Sequence, residues 1–338
     1  MKIDYQHKMA AHCENGAIMS LLNHHGIKLS EAMIFGIGSG IYFSHIPIIK
    51  LNGLPLTSFR PWPGAIFKRA SKALGIDVEV KKFRNPEKAM VALDDNLERG
   101  IPTGMVVGVF YLDYFPAPYR FHFNAHNIIG VGKENGNYII SDPIMESFEH
   151  LSYDSLKKVR FAQGLQAPRG KMYYIKNLPN EINIKVAIIK GLKRTVREMV
   201  ILPGPVIGAR GIKYLSKKVR KYPKRYSPRE ASKRLGQIVR MQEEIGTGGA
   251  GFRFLFAAFL QEASEILENK RLNELSASMT EIGDMWRDFA VHAGRIIKER
   301  NEVETYDSIA NLLLDISAKE NIVYKELAKV VKEESLKA

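Results

Sequence analysis

The chain has 338 residues, with 45% apolar and 25% charged, a composition that excludes wholesale disorder and leaves room for two hydrophobic cores. No run of about 18 uninterrupted apolar residues suggests a membrane span, and the N-terminus MKIDYQHKMAAHCENG lacks the apolar stretch of a secretory signal. Fifty basic against 36 acidic residues give a net charge of +14, and the single cysteine, Cys13, excludes an internal disulfide and suits a reducing, cytoplasmic setting.

In chain order, residues 13–25 suit a helix with Ile18, Leu21 and Leu22 on one side. Ser30 is placed to cap a short helix through Phe35, and GIGSG (36–40) reads as a glycine-rich turn. Pro47, Pro55, Pro61 and Pro63 mark an extended or looped region before a helix over 63–74 and a strand over 78–83. Asn85-Pro86 starts the next helix, with Asn as cap and Pro at its first position, and Gly100 ends it. Strands are predicted over 103–111, 126–132, 137–142 and 171–176, apolar on both faces as in a sheet covered by helices. From about 180 onwards the pattern is helical: 183–201, 207–221, 228–245, 252–268, 273–299 and 305–332. The expected division is an α/β domain over 1–178 and an all-α domain over 183–338.

The charge is local. Residues 185–240 hold 17 basic and two acidic side chains, whereas residues 241–338 are net acidic. Two explanations compete: compensation by the acidic helices that follow, and a docking face for an acidic partner. A nucleic-acid or anionic-membrane module is the rival from another class, but Tyr214, Tyr222 and Tyr226 are few aromatics for base stacking, which argues against nucleic acid.

Cys13 follows His12 and opens the first helix, where unpaired N–H groups and the helix dipole favour a thiolate; a buried structural cysteine is the plain alternative. Later, HNIIGVG (126–132) and NYIISDP (137–143) form a hairpin signal. A three-residue loop, Glu134-Asn135-Gly136, pairs 130 with 140 and 128 with 142, bringing His126 and Asp142 together at one end of one face. A two-residue Asn-Gly turn would instead put them on opposite faces. A thiolate at a helix start with a carboxylate-held histidine is the arrangement for covalent acyl transfer. His122 is a rival base, or an aromatic packing residue. His24 and His25 lie on different helix faces, so zinc finds no ligand spacing and no metal is expected. GIGSG lacks the lysine and the preceding strand of a phosphate loop and is read as a turn near the active site. Phe252, Phe256, Phe259 and Leu260 are spaced as a core stripe.

Three stretches carry a family resemblance: HCEN (12–15), LSEAMIFGIGSG (29–40) and HNIIGVG with NYIISDP. Together they resemble the N-terminal domain of the butirosin biosynthesis protein H family, itself similar to papain-like cysteine peptidases with the order Cys, His, Asp. GTGGAGFRFLFAAFLQEAS (246–264) resembles the helical domain that accompanies it. The implied fold class is α+β, a papain-like domain followed by an all-α one. The implied activity passes an (amino)acyl group from an acyl carrier protein thioester, through Cys13, to an amine such as that of an aminoglycoside. His126 would be the acid/base and Asp142 the orienting carboxylate. No cofactor is implied beyond the phosphopantetheine arm of the donor. A peptidase or amidase with the same triad is the other enzymatic reading. The family's glutamine before the cysteine is replaced by His7, leaving Gln6, His7 and His12 as oxyanion candidates. Glu14, Asn15, Gly248, Gly249 and Arg253 are candidates for substrate contact.

Overall fold

The computed structural model describes residues 2–51, 53–245, 248–300 and 303–337. The elements in chain order begin α1 (Cys13–His24), α2 (Glu31–Ile37), β1 (Ser44–Leu51), β2 (Leu54–Ser58), α3 (Ala65–Leu74), β3 (Asp77–Lys81) and α4 (Pro86–Glu98). There follow β4 (Thr103–Val107), β5 (His126–Glu134), β6 (Asn137–Ser141), β7 (Glu149–Leu151), α5 (Tyr153–Arg160) and β8 (Met172–Asn177). The helices α6 (Ile184–Val196), α7 (Gly208–Val219), α8 (Tyr222–Arg225), α9 (Pro228–Glu243), α10 (Arg253–Leu267), α11 (Lys270–Ile297) and α12 (Tyr306–Lys337) complete the chain. Among the described residues, no helix is long and apolar enough to cross a membrane.

The fold class is α+β, with its larger sheet in the N-terminal half and helices throughout the region beyond 183. Two compact units divide it: residues 1–34 with 74–182, and residues 35–73 with 183–338. The grouping differs from a linear split at 178–183, because residues 35–73 join the helices. Their aromatic side chains explain it. Phe43 and Phe59 pack on the fully buried Trp286, and Phe35 stacks on Phe252 at 5.0 Å. Nor is the second unit purely helical, since the proline-marked stretch, expected as extended or looped, forms the β1–β2 hairpin. Its ladder breaks between Ile46 and Lys50, and the bulge accommodates Pro47, which has no N–H to donate.

The first unit is built on a six-stranded antiparallel sheet in the order β3-β8-β4-β5-β6-β7. Helix α1 packs on β5 and β8, α4 on β4 and β5, and α5 on β4, β6 and β7. The predicted strand over 103–111 stops at Val107. Gly108 donates instead to Val159 O, where a Cβ would meet Ala162 at 2.5 Å, and residues 109–111 turn as a 3-10 helix. Helix α4 starts as expected, with Asn85 Oδ1 accepting from Lys88 N and Pro86 at its first position.

The second unit is a helical array around Phe252, Phe256, Phe259, Trp286, Phe289 and Tyr324, all fully buried. The stripe on α10 is therefore core. At the turn over 36–40, a Cβ on Gly36 would fall 2.0 Å from the Phe259 ring, and Ser39 Oγ donates to Gly191 O. These glycines serve close packing rather than a phosphate. Arg69 binds Glu198 through both terminal nitrogens (3.1 and 2.8 Å), tying α3 to the π-helical turn over 197–201 that ends α6.

Candidate active site

The hairpin of β5 and β6 turns on two residues, Asn135 and Gly136, with Glu134 paired to Asn137. Both take positive φ, 48° and 79°, as a type I′ turn requires. On that register His126 and Asp142 would part. Between Gly132 and Gly130, however, β5 carries a bulge at Val131, after which Gly130 pairs with Ile140 and Ile129 with Ser141. The extra residue restores the register that a three-residue loop would have given. The bulge is held from outside by Ile3 N–H, which donates to Val131 O at 2.9 Å.

His126 Nε2 consequently lies 2.7 Å from Asp142 Oδ2, with both residues buried. Asp142 is itself fixed by the Tyr114 hydroxyl (2.8 Å to Oδ2) and the Ile144 N–H (3.2 Å to Oδ1). The imidazole is also hydrogen-bonded to Cys13, and with Nε2 committed to Asp142 that bond falls to Nδ1. Burial on its own lowers the His126 pKa, but the charges of Asp142 and Cys13 outweigh it and push it up to about 10. The three side chains thus stand in a continuous chain, Cys13 to His126 to Asp142, the arrangement that nucleophile, acid/base and orienting carboxylate would need.

Cys13 is the first residue of α1, and the loop before it is locked. Glu31, in the first turn of α2, accepts from the N–H groups of Ala11 and His12, each at 2.8 Å. This bond joins the HCEN and LSE stretches. Burial raises the Glu31 pKa, partly offset by those two bonds. Ala10 N–H donates to Pro143 O at 2.7 Å, tying the same loop to the Asp142 turn.

Of the oxyanion candidates, His7 needs correction. Both ring nitrogens of His7 are engaged, Nδ1 with Ser141 Oγ (2.8 Å) and Nε2 with Met145 O (2.9 Å). His12 caps α1, its Nδ1 accepting from Asn15 N–H at 3.4 Å. Gln6 is exposed. Arg253 is also corrected: it is fully buried in the second unit, its guanidinium bonded to Glu320 at 2.9 and 3.1 Å and to Gly251 O. Three of its five N–H donors are bound there, and a side chain with no exposed surface does not meet a substrate. Gly249 is buried with φ 87°, in a turn where Ala250 N–H is taken by the Glu243 carboxylate; Gly248 beside it is exposed, and Gly246 lies outside the described residues. Glu14 and Asn15 are both buried, and the Glu14 charge acts on Lys171 and Tyr173.

His122 is not part of the Cys13, His126 and Asp142 arrangement. It stacks on Phe110 at 4.1 Å and lines a cavity of about 780 Å³ with Tyr111, Lys157 and Lys158. Asn127 is the residue that motif reasoning missed: its Nδ2 lies 3.9 Å from Cys13 Sγ. Strand alternation sets it opposite His126, so only the seating of α1 on β5 brings it to the sulfur.

A helix-borne thiol, bonded to an imidazole that a buried carboxylate holds, defines the cysteine-dependent enzymes with Cys, His, Asp order. Residues 12–143, which include all three, match the family model described as "Butirosin biosynthesis protein H, N-terminal". Residues 154–327 match that of the "Domain of unknown function (DUF4872)", so the chain belongs to this family and carries the N-terminal domain of the butirosin biosynthesis protein H family. A solved structure provisionally described as a C39-like peptidase from Bacillus anthracis aligns with a TM-score of 0.36 and 14% identity, over 53% of this chain and 100% of its own. No curated protein matches the chain.

Proposed function

We propose that the chain is a cysteine acyltransferase that takes an acyl or aminoacyl group from a carrier-protein thioester onto Cys13 and delivers it to an amine, such as that of an aminoglycoside. The observation that carries this reading is the division of labour on His126, whose Nε2 is held by Asp142 while its other nitrogen serves Cys13. The thiolate attacks the thioester carbonyl, and the protonated imidazole supplies the departing thiol with its proton. In the second half the same imidazole takes a proton from the attacking amine, and Cys13 leaves as thiolate.

The basic segment supports an acidic donor. Five of its 17 basic side chains make ion pairs among the described residues, and three of them, Lys185, Arg220 and Arg240, reach acids beyond residue 240. On α7 and just after it, Lys213, Lys217 and Lys221 are exposed at helical spacing. Compensation thus accounts for a minority of the charge, and a stripe of this kind steers an acidic protein.

Intact-mass analysis after incubation with acyl-loaded carrier protein tests the reading. An acyl adduct on Cys13 that is discharged by an added amine, and absent in Cys13→Ala, is expected. No adduct with any thioester, or discharge to water alone with amine present, would sink transfer.

A further inference from the structure

We infer that Asn127 supplies the side-chain donor of the oxyanion hole, a post that His7, with both ring nitrogens bonded elsewhere, does not fill. The inference rests on the acyl-transfer reading of Cys13. Asn127 is buried, and its amide is oriented unambiguously. Ala125 O, which can only accept, lies 3.2 Å from one amide atom and so identifies it as nitrogen; the same Nδ2 lies 3.9 Å from Cys13 Sγ. On the other side the Tyr173 hydroxyl donates to Oδ1 at 2.8 Å. With Oδ1 and one N–H bound by protein, the second N–H is aimed at the sulfur. Tyr173 is held in turn, its ring filling the space beside Gly104, where a Cβ would fall 2.2 Å from it.

When the Cys13 sulfur bonds to a carbonyl carbon, the C=O π pair moves to oxygen, and that oxyanion stands next to the sulfur. A donor must lie about 2.7–3.1 Å from this oxygen, not from the sulfur, and a nitrogen seated 3.9 Å from sulfur has that room. Collapse re-forms C=O, breaks the bond to the donor's sulfur and releases a thiolate that takes the His126 proton. Nothing in the amide has to move during the step, because Tyr173 and Ala125 have oriented it beforehand.

The test compares two reactions of the same thiol. Iodoacetamide alkylates sulfur by displacement, without an oxyanion, whereas S-acetyl-N-acetylcysteamine acylates it through one. Asn127→Ala is expected to leave alkylation within about twofold of wild type and to slow acylation by about 10²–10³-fold. The double variant Asn127→Ala/Tyr173→Phe, which leaves no buried hydroxyl unpaired, is expected to behave alike and carries the test should the single variant not fold. Equal loss in both reactions would make Asn127 a thiol-positioning residue and overturn the assignment, as would unchanged acylation. Wild-type protein that is alkylated but never acylated would overturn the acyl-transfer reading, and the assignment with it.

Discussion

Gly16 of α1 lies against Pro143, so closely that a Cβ built on it would stand 2.6 Å from Pro143 Cβ and 2.5 Å from Ala10 Cβ. The glycine three residues after Cys13 thus sets how near α1 comes to the Asp142 turn. Gly16→Ala is expected to push the helix away, costing about 1–3 kcal/mol of stability. Acylation of Cys13 should fall further than the stability loss explains, read as kcat/KM below the unfolding temperature.

Replacing Asp142 by Asn removes the charge that holds the His126 proton while burial, which opposes that proton, remains. In wild type the imidazole stays protonated up to about pH 10, so the alkaline limb of acyl transfer is expected there. In Asp142→Asn the limb should move towards neutrality by more than about one pH unit, with kcat/KM down about 10²-fold. Because the folded pKa is raised, the proton's contribution to stability is complete below about pH 6.5 and is lost as pH rises through about 10.

His45 works in the opposite sense. Burial, with Lys218 adding its charge, pushes its pKa down to about 4, and its Nδ1 is bonded to Thr57 Oγ1 at 2.9 Å. A neutral folded histidine contributes stability above about pH 6.5 that is lost as pH falls through about 4, some 3 kcal/mol in all. His45→Asn keeps a hydrogen-bonding group near Thr57 without a titrating one. Its urea midpoint should fall less between pH 7 and pH 4 than that of wild type.

Arg253 and Glu320 form a fully buried ion pair, and Trp286 Nε1–H donates to the same Glu320 oxygen at 3.0 Å. Removing either charge by alanine is expected to cost about 3–5 kcal/mol, because the other is left buried alone. The pair Arg253→Met with Glu320→Gln keeps an acceptor for Trp286 and should cost less than either single change. Denaturant unfolding of the three variants reads this directly.

Reversing the α7 stripe, with Lys213→Glu, Lys217→Glu and Lys221→Glu together, is expected to raise KM about tenfold for an acidic carrier-protein donor at low salt. Turnover of S-acetyl-N-acetylcysteamine should stay unchanged. Adding salt should erase the difference between wild type and variant, since exposed charges are screened. An equal effect on both donors would place the stripe's influence elsewhere.

Local chemistry determined much of this protein from sequence alone. Asn85-Pro86 announced α4, the apolar runs announced β5, β6 and β8, and the position of Cys13 at a helix start follows from the pattern around it. His126 and Asp142 were legible as a pair on a shared register. The reason for that register was not: the turn is one residue shorter than the pairing needs, and a bulge at Val131 restores it. Period-two alternation has no means of foreseeing a bulge, which is fixed by what holds its exposed carbonyl, here Ile3 from a distant part of the chain. The grouping of residues 35–73 with the helices, the loss of His7 to other hydrogen bonds, and the arrival of Asn127 beside the thiol are of the same kind. Each depends on which groups compete for one partner in space, and tertiary packing alone decides that.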